Sequence, residues 1–376
     1  MASTPERGFL LIADLSGYTA YLSRGEIEHA PAIAGDLIET VVGRLEPPFR
    51  LAKLEGDAAF LYVEDGRADG SLLLDAIEVA YLAFRRRLRS IEQASACDCT
   101  ACSTAPRLDL KFFVHHGEYV RTSIAGRDEL AGASIIVVHR LLKGAAAAAA
   151  HDTDGRAMGF AVFTAAAVAA MGVDPASLGA TTEVEAIEHL GEVTTHTIDL
   201  EGRWLAETGA RRLEIAGRDA LFEVEVDVPA DPATTWAHLT SPGLRPLWEG
   251  PIVITEMALD GRRGVGTRAQ CVTGRLATLE EIVDWQPYEH VGYRLAVDGV
   301  GAVEATYDLE AVGAATMVRL RWAGAGSSPE DAAVTRLRGE KIGGLRRLAA
   351  VLAIPMAPRN GARQEPALEL AQEVQA

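Results

Sequence analysis

The sequence predicts an α+β chain built in two successive domains. Three observations carry this. At roughly 150 residues per domain, 376 residues make two or three domains. The first half alternates short apolar runs, too short for helices, with long stretches of helical periodicity. From Leu221 a different pattern starts: a series of strand-length runs closed by one long helix, the mark of an α+β unit. The expected boundaries are 7–200 for the first domain, 201–218 for a linker, 219–354 for the second domain and 355–376 for a disordered tail.

The first element is Gly8–Asp14, a buried strand, followed by a turn at Leu15–Thr19 that leads into a helix. Ala30–Leu45 carries Ile33, Leu37, Ile38, Val41, Val42 and Leu45 at helical spacing, and Pro47 and Pro48 end it. Phe49–Lys53 and Ala58–Val63 flank Gly56-Asp57 and predict a hairpin turning at that dipeptide. A helix over Ser71–Gln93 and a strand over Leu108–His115 follow, with Gly117 beginning a turn. Ser134–Gly144 is expected to be helical and to run on into the alanines at 145–150, ahead of a strand at Ala161–Phe163, an alanine-rich helix and a strand over Gly191–Asp199. Gly202–Arg212 has no periodicity and is the linker candidate. In the second domain Phe222–Val228 alternates as a half-buried strand, and Asp231-Pro232 caps a helix holding Trp236 and Leu239. Strands are expected at Ile252–Leu259, Gly266–Thr273, Ala277–Trp285, His290–Val297, Val303–Ala311 and Thr316–Ala323, then a helix over Pro329–Leu352.

Composition excludes some classes of function. Lys and Arg total 36 against 53 Asp and Glu, a net charge of −17. Nucleic acids and anionic membranes want a basic face, so neither is expected as a partner, although a local basic pocket can still take a small anion. Four cysteines in the whole chain rule out a disulfide scaffold. No signal peptide is visible, and the longest uncharged stretch, Ala157–Val173, is short for a membrane span. A soluble cytoplasmic protein is expected.

Asp14 ends a buried strand and Asp57 sits in a hairpin turn 43 residues later. Alone, each is an ordinary turn former. Together on neighbouring strands, two carboxylates repel unless a cation lies between them, the arrangement a Mg²⁺-phosphate site uses. Phe9-Leu-Leu-Ile-Ala-Asp14-Leu-Ser-Gly17-Tyr18-Thr19 resembles the first metal motif of class III nucleotidyl cyclases, and Lys53-Leu-Glu-Gly56-Asp57 resembles the second. Leu110–Glu118, the segment Glu129–Arg140 and Leu190–Val193 are similar to later motifs, so the resemblance covers about residues 7–200.

The resemblance implies a ferredoxin-like nucleotide-cyclase domain whose site is completed across a homodimer. Asp14 and Asp57 would hold Mg²⁺ or Mn²⁺. One ion would activate the ribose 3′-hydroxyl; the other would neutralise the triphosphate of ATP or another nucleoside triphosphate. Lys53 and Glu129 would read the base, Gly17, Tyr18 and Thr19 would cradle phosphate, and Arg140 would act catalytically on the transition-state charge. One departure matters. Ile136 stands where the family has the asparagine that orients the ribose. Losing one such group costs roughly 10²–10³ in rate.

Cys97, Cys99 and Cys102 crowd into six residues. Thiols this close converge on a soft ion, zinc first, as a structural clamp. The sequence leaves the fourth ligand open among Asp98, His115, His116 and a partner chain.

The second domain is similar to the START-like (SRPBCC, polyketide cyclase/dehydratase) helix-grip superfamily. Phe222–Ala230, Pro232–Leu239 and Pro246-Leu247-Trp248 carry the resemblance. It implies a cavity for an apolar small molecule, lined by Trp236, Trp248, Trp285, Tyr293 and Trp322, with His238 and Glu249 as nearby polar groups. No acid/base pair there points to chemistry. The expected function is therefore a regulatory protein: a degenerate cyclase-homology domain that binds nucleotide and metal, coupled to an apolar-ligand domain. The alternative is an active class III adenylate cyclase making cyclic nucleotide from ATP by two-metal catalysis.

Overall fold

The computed structural model of the chain describes residues 4–26, 28–94, 97, 99–144, 159–187, 190–209, 212–258, 261–273, 276–297, 300–324 and 328–354. Asp98, the alanines at 145–150 and the tail expected over 355–376 lie outside the described residues. The chain divides into two compact units, residues 1–211 with 260–262, and residues 212–259 with 263–376. No described helix is long and apolar enough to cross a membrane.

The first unit runs β1 (Glu6–Ser16), α1 (Tyr18–Arg24), α2 (Ala30–Leu45), β2 (Arg50–Glu55), β3 (Ala58–Glu64), α3 (Gly70–Ala94), α4 (Thr100–Thr104), β4 (Asp109–Ile124), β5 (Arg127–Ala131), α5 (Ala133–Leu141), β6 (Phe160–Thr164), α6 (Ala165–Met171), β7 (Thr181–Ile187), β8 (Gly191–Asp199) and α7 (Leu200–Gly209). Its sheet has the order β2-β3-β1-β4-β6-β8-β7, with β5 paired to β4. The β2-β3-β1-β4 portion is the ferredoxin-like arrangement. β1 lies between two antiparallel neighbours, β3 and β4, and is buried from Gly8 to Ala13. That double burial explains its unbroken apolar run. Leu10, Ile12, Phe60, Phe113, Val138 and Leu141 belong to one core cluster on the face that α5 covers.

Three expectations are corrected in this unit. Gly117 begins no turn, because β4 runs straight through it to Ile124. A Cβ there would lie 2.2 Å from the Ser134 hydroxyl oxygen, so the glycine serves close approach rather than chain reversal. The expected linker begins as helix α7 over Leu200–Gly209. β7 was not foreseen, since only Glu185 and Ile187 in it are buried, and an edge strand with little buried alternation leaves a weak trace.

The second unit runs β9 (Phe222–Val228), α8 (Pro232–Thr240), α9 (Pro246–Glu249), β10 (Val253–Met257), β11 (Arg268–Thr273), β12 (Leu276–Gln286), β13 (His290–Val297), β14 (Gly301–Val312), β15 (Ala315–Gly324) and α10 (Ala332–Leu352). The seven strands form one antiparallel sheet, β10-β11-β12-β13-β14-β15-β9. Asp231 caps α8 by accepting the Thr234 amide at 2.8 Å. α10 buries Val334, Leu337, Leu345 and Leu348, the stripe that its periodicity predicts.

His290 ties three strands of this sheet together. Its Nδ1 lies 2.7 Å from Asp308 on β14 and its Nε2 lies 3.4 Å from Asp284 on β12. Asp284 in turn accepts the Leu213 amide at 2.7 Å. Burial disfavours the charged imidazole, but the hydrogen bonds and negative charges of Asp284 and Asp308 outweigh it and raise its pKa to about 9. A histidine raised in this way stabilises the fold fully below its unfolded pKa, and the contribution fades as pH rises through the folded value. Urea unfolding should therefore show stability falling between about pH 6.5 and pH 9, by on the order of 2 kcal/mol given that Asp308 is partly exposed. His290→Gln should flatten that slope.

Candidate functional site

The β1–β3 register builds the first part of the site. Asp14 pairs with Ala58 on β3, and Ala58 pairs with Glu55 on β2. On the other side Asp14 pairs with Lys111 on β4. Lys111, Asp14, Ala58 and Glu55 thus form one row on one face, since directly opposite residues point the same way. The hairpin turn at Gly56 has a left-handed φ of 71° and brings Asp57 alongside, where its carbonyl accepts the Leu15 amide at 3.1 Å. Burial first, and then the Asp57 charge, raise the Asp14 pKa to about 6, while Lys111 pulls it back. A carboxylate buried beside a second negative charge, as Asp14 is, is stabilised in its ionised form by a nearby cation. Immediately after the strand, Gly17 adopts φ 84°, and Gly17 and Thr19 are exposed while Tyr18 is half-buried.

The second part lies on β2, β5 and α5. The Lys53 ammonium sits 3.0 Å from Glu55 and 3.2 Å from Glu129. Glu55 also meets His139 at 2.9 Å, and His139 Nδ1 lies 2.8 Å from the Ile135 carbonyl on its own helix. Lys53 and Glu129, taken separately from two sequence motifs, are therefore an ion pair. Glu55 and His139 extend it into a four-residue network. Ile136, on the preceding turn of α5, leaves 52% of its surface exposed. Arg140 is exposed at the end of the same helix. Sequence reasoning missed Lys111, Glu55 and His139. Glu55 had a signal, its place inside the Lys-x-x-Gly-Asp run, whereas Lys111 becomes visible only through strand register.

The cysteine cluster acquires a fourth member that the sequence did not offer. Nδ1 of His29, just before α2, lies 3.3 Å from the Cys99 sulfur, 3.8 Å from Cys97 and 3.7 Å from Cys102. All four ligand atoms lie within 4.8 Å of one another. Bonds of about 2.3 Å to sulfur and about 2.0 Å to nitrogen at tetrahedral angles place ligand atoms about 3.6 Å apart, so the group has the dimensions of a single four-coordinate ion. Two of the fourth ligands that the sequence left open are engaged elsewhere, His115 with Thr164 at 2.9 Å and His116 with Asp65 at 2.8 Å, and Asp98 lies outside the described residues.

In the second unit the interior is more polar than expected. Arg245, 8% exposed, donates to both oxygens of Glu280 at 2.8 and 3.1 Å and to Glu249 at 2.6 Å. Burial works against both charges, but each outweighs it for the other, so Arg245 stays protonated and Glu280 ionised. These two residues, with Tyr293, Glu256 and Arg263, line a cavity of about 20 Å³, room for little more than a water molecule. Of the aromatic residues expected around an apolar pocket, Tyr293 lines this space and the others do not. Trp236 is fully buried, with Trp285 edge-on at 4.7 Å. Trp248 donates to the His238 carbonyl at 2.7 Å. Trp322 stacks on Phe222 at 5.9 Å. The correction has a physical reason: large rings at helical and strand spacing pack a core as readily as they line a cavity. His238 and Glu249 form no acid/base pair, since the imidazole contacts the Thr234 carbonyl at 2.9 Å.

Comparison with known proteins gives two partial family matches. Residues 34–150 match a family described as "Protein of unknown function (DUF2652)". Residues 219–353 match one described as "Polyketide cyclase / dehydrase and lipid transport". The Mycobacterium tuberculosis protein "Uncharacterized protein Rv2561/Rv2562" is 32% identical over 164 residues, which span 44% of this chain and 72% of that protein. Among solved structures, the guanylyl cyclase Cya2 aligns at 12% identity and a TM-score of 0.38, covering 53% of this chain and 94% of that one. DynU16, from the dynemicin biosynthetic locus, aligns at 21% identity and a TM-score of 0.30, covering 35% of this chain and 46% of that one.

The buried ion pair makes a clear prediction. Arg245→Ala strands the Glu280 carboxylate in the core and should cost about 3–5 kcal/mol in chemical denaturation. The double variant Arg245→Met/Glu280→Leu should recover much of that loss.

Proposed function

This chain belongs to the family of the mycobacterial protein Rv2561/Rv2562, and from that premise we propose that it is a regulatory nucleotide-binding protein with a second, small-molecule-binding domain. The first unit binds a nucleoside triphosphate, ATP by preference, through Mg²⁺ or Mn²⁺ at Asp14 and Asp57. Gly17, Tyr18 and Thr19 lie against phosphate, Lys53 and Glu129 face the base, and Arg140 meets phosphate charge. The site is completed across a homodimer. The observation that carries the reading is Asp14, half-buried and raised to about 6 beside Asp57, a carboxylate pair whose charge calls for a cation. Ile136 argues for binding over turnover, because an exposed aliphatic side chain offers the ribose no hydrogen bond.

The ion at His29, Cys97, Cys99 and Cys102 is zinc, supported by nitrogen-to-sulfur spacings of 3.3–3.8 Å and a mixed imidazole and thiolate donor set. None of the four cysteines forms a disulfide, which fits a reducing, cytoplasmic setting. The second unit takes an apolar small molecule, supported by the family description of residues 219–353. The cavity of about 20 Å³ beside Arg245 and Glu280 is far below the roughly 300 Å³ of a ligand-sized site, so the molecule is taken elsewhere in the unit or after that cavity widens.

Isothermal titration of ATP in the presence of Mn²⁺ tests the central part. Saturable binding is expected, weakened in Asp57→Ala by at least the ~10–100-fold that losing even a supporting residue costs at metal sites, with no cyclic nucleotide formed. Cyclic product from the wild-type protein would replace this reading with an active cyclase. Absence of any binding would overturn it.

A further inference from the structure

Resting on the zinc reading above, we infer that the ion held by His29, Cys97, Cys99 and Cys102 fixes α1 and, through it, the Leu15–Thr19 segment that follows Asp14. Zinc occupancy thereby governs the geometry of the nucleotide site from behind.

The ligands come from two places far apart in the chain, the start of α2 and the segment leading into α4, and α1 lies against both. At its C-terminal end Gly25 approaches so closely that an added Cβ would stand 2.8 Å from the Ala30 methyl and 3.2 Å from the Ala101 methyl. Glu26 accepts the Thr100 and Ala101 amides at 3.0 and 2.8 Å, which stitches the exit of α1 to α4. At its other end Gly17 rests 3.9 Å from the Arg107 carbonyl and the Leu108 side chain, measured from an added Cβ. The stretch from Thr100 to Leu108 therefore touches both ends of α1.

Glu26 is the direct connection, and Tyr21 supplies the packing of the helix itself. Tyr21 is the buried residue of α1, 5% exposed, and its hydroxyl has no hydrogen-bond partner among the described residues. α1 has seven residues and no side-chain N-cap, too few to hold helical structure unaided. Its order depends on what it packs against. Within the cluster, Cys99 already accepts the Cys102 amide at 3.4 Å, a bond that steadies a ligand thiolate. Without the ion, three sulfurs within 4.8 Å of one another lose the charge that holds them together, and the Thr100 and Ala101 amides that hold Glu26 loosen with them.

Amide hydrogen exchange on the full chain tests this, with bound metal counted by mass spectrometry. The protein is compared zinc-loaded and after chelation under reducing conditions. One zinc per chain is expected. Its removal should accelerate exchange at least about ten-fold in peptides covering 15–26, with β6 and β8 unchanged. Glu26→Ala removes the acceptor of the Thr100 and Ala101 amides and leaves all four ligands in place; it should keep zinc yet show faster exchange over 15–26 in the loaded protein, a readout that survives if the zinc-free chain unfolds altogether. Zinc bound, with residues 15–26 equally protected in every state and in Glu26→Ala, would overturn the coupling and leave the zinc reading standing. A chain purified without chelators that neither carries nor takes up zinc would overturn both.

Discussion

The pairing of β1 with β3 forces two like charges together, and much of the first unit answers to that. β1 is buried on both sides, so it cannot slip by one residue without turning its whole apolar set the wrong way. The register is thus fixed by burial, and the register fixes where Asp14 stands. The Leu15 amide, bound to the Asp57 carbonyl at 3.1 Å, then holds the hairpin turn against the strand end. Lys111 on the far side supplies only part of the missing positive charge, since Asp14 remains raised to about 6. Burial raises Asp14 most and the Asp57 charge adds to it; the divalent ion proposed here would relieve both.

A chain of net charge −17 does not attract a polyanion over its whole surface. Attraction to a triphosphate has to be local. Lys53, with neighbours at 3.0 and 3.2 Å, is already paired with carboxylates, so under the proposed reading it would serve recognition better than bulk attraction. The ions at Asp14 and Asp57 would carry most of the neutralising charge, with Arg140 adding to it. The same division between polar function and packing holds in the second unit. There the Arg245–Glu280 pair occupies the interior, and the tryptophans that suggested a pocket supply the core.

The parts of the molecule that follow period and turn chemistry were legible in the sequence. β9 and β13 occupy the residues expected, Phe222–Val228 and His290–Val297, because their flanking turns are sharp. Asp231 caps its helix as its position before Pro232 suggested. The Gly56-Asp57 hairpin could be read directly, since glycine supplies the left-handed turn. The parts that depend on the third dimension could not. His29 is an isolated histidine far from Cys97–Cys102 in sequence, and only the packing of α1 between α2 and α4 brings it there. Lys111 and Glu55 join Asp14 through strand register, which no local pattern encodes. The aromatic residues of the second unit illustrate the opposite limit: their identity was plain and their role was not, because a core and a cavity wall use the same side chains.

The central claim is that Asp14 and Asp57 together hold a divalent ion that receives a nucleoside triphosphate. The most direct measurement is anomalous scattering from a crystal grown with Mn²⁺ and a non-hydrolysable ATP analogue. The account predicts a manganese peak bridging the two carboxylates with phosphate density against it. Well-ordered Asp14 and Asp57 side chains with no peak between them, at saturating Mn²⁺ and nucleotide, would contradict it.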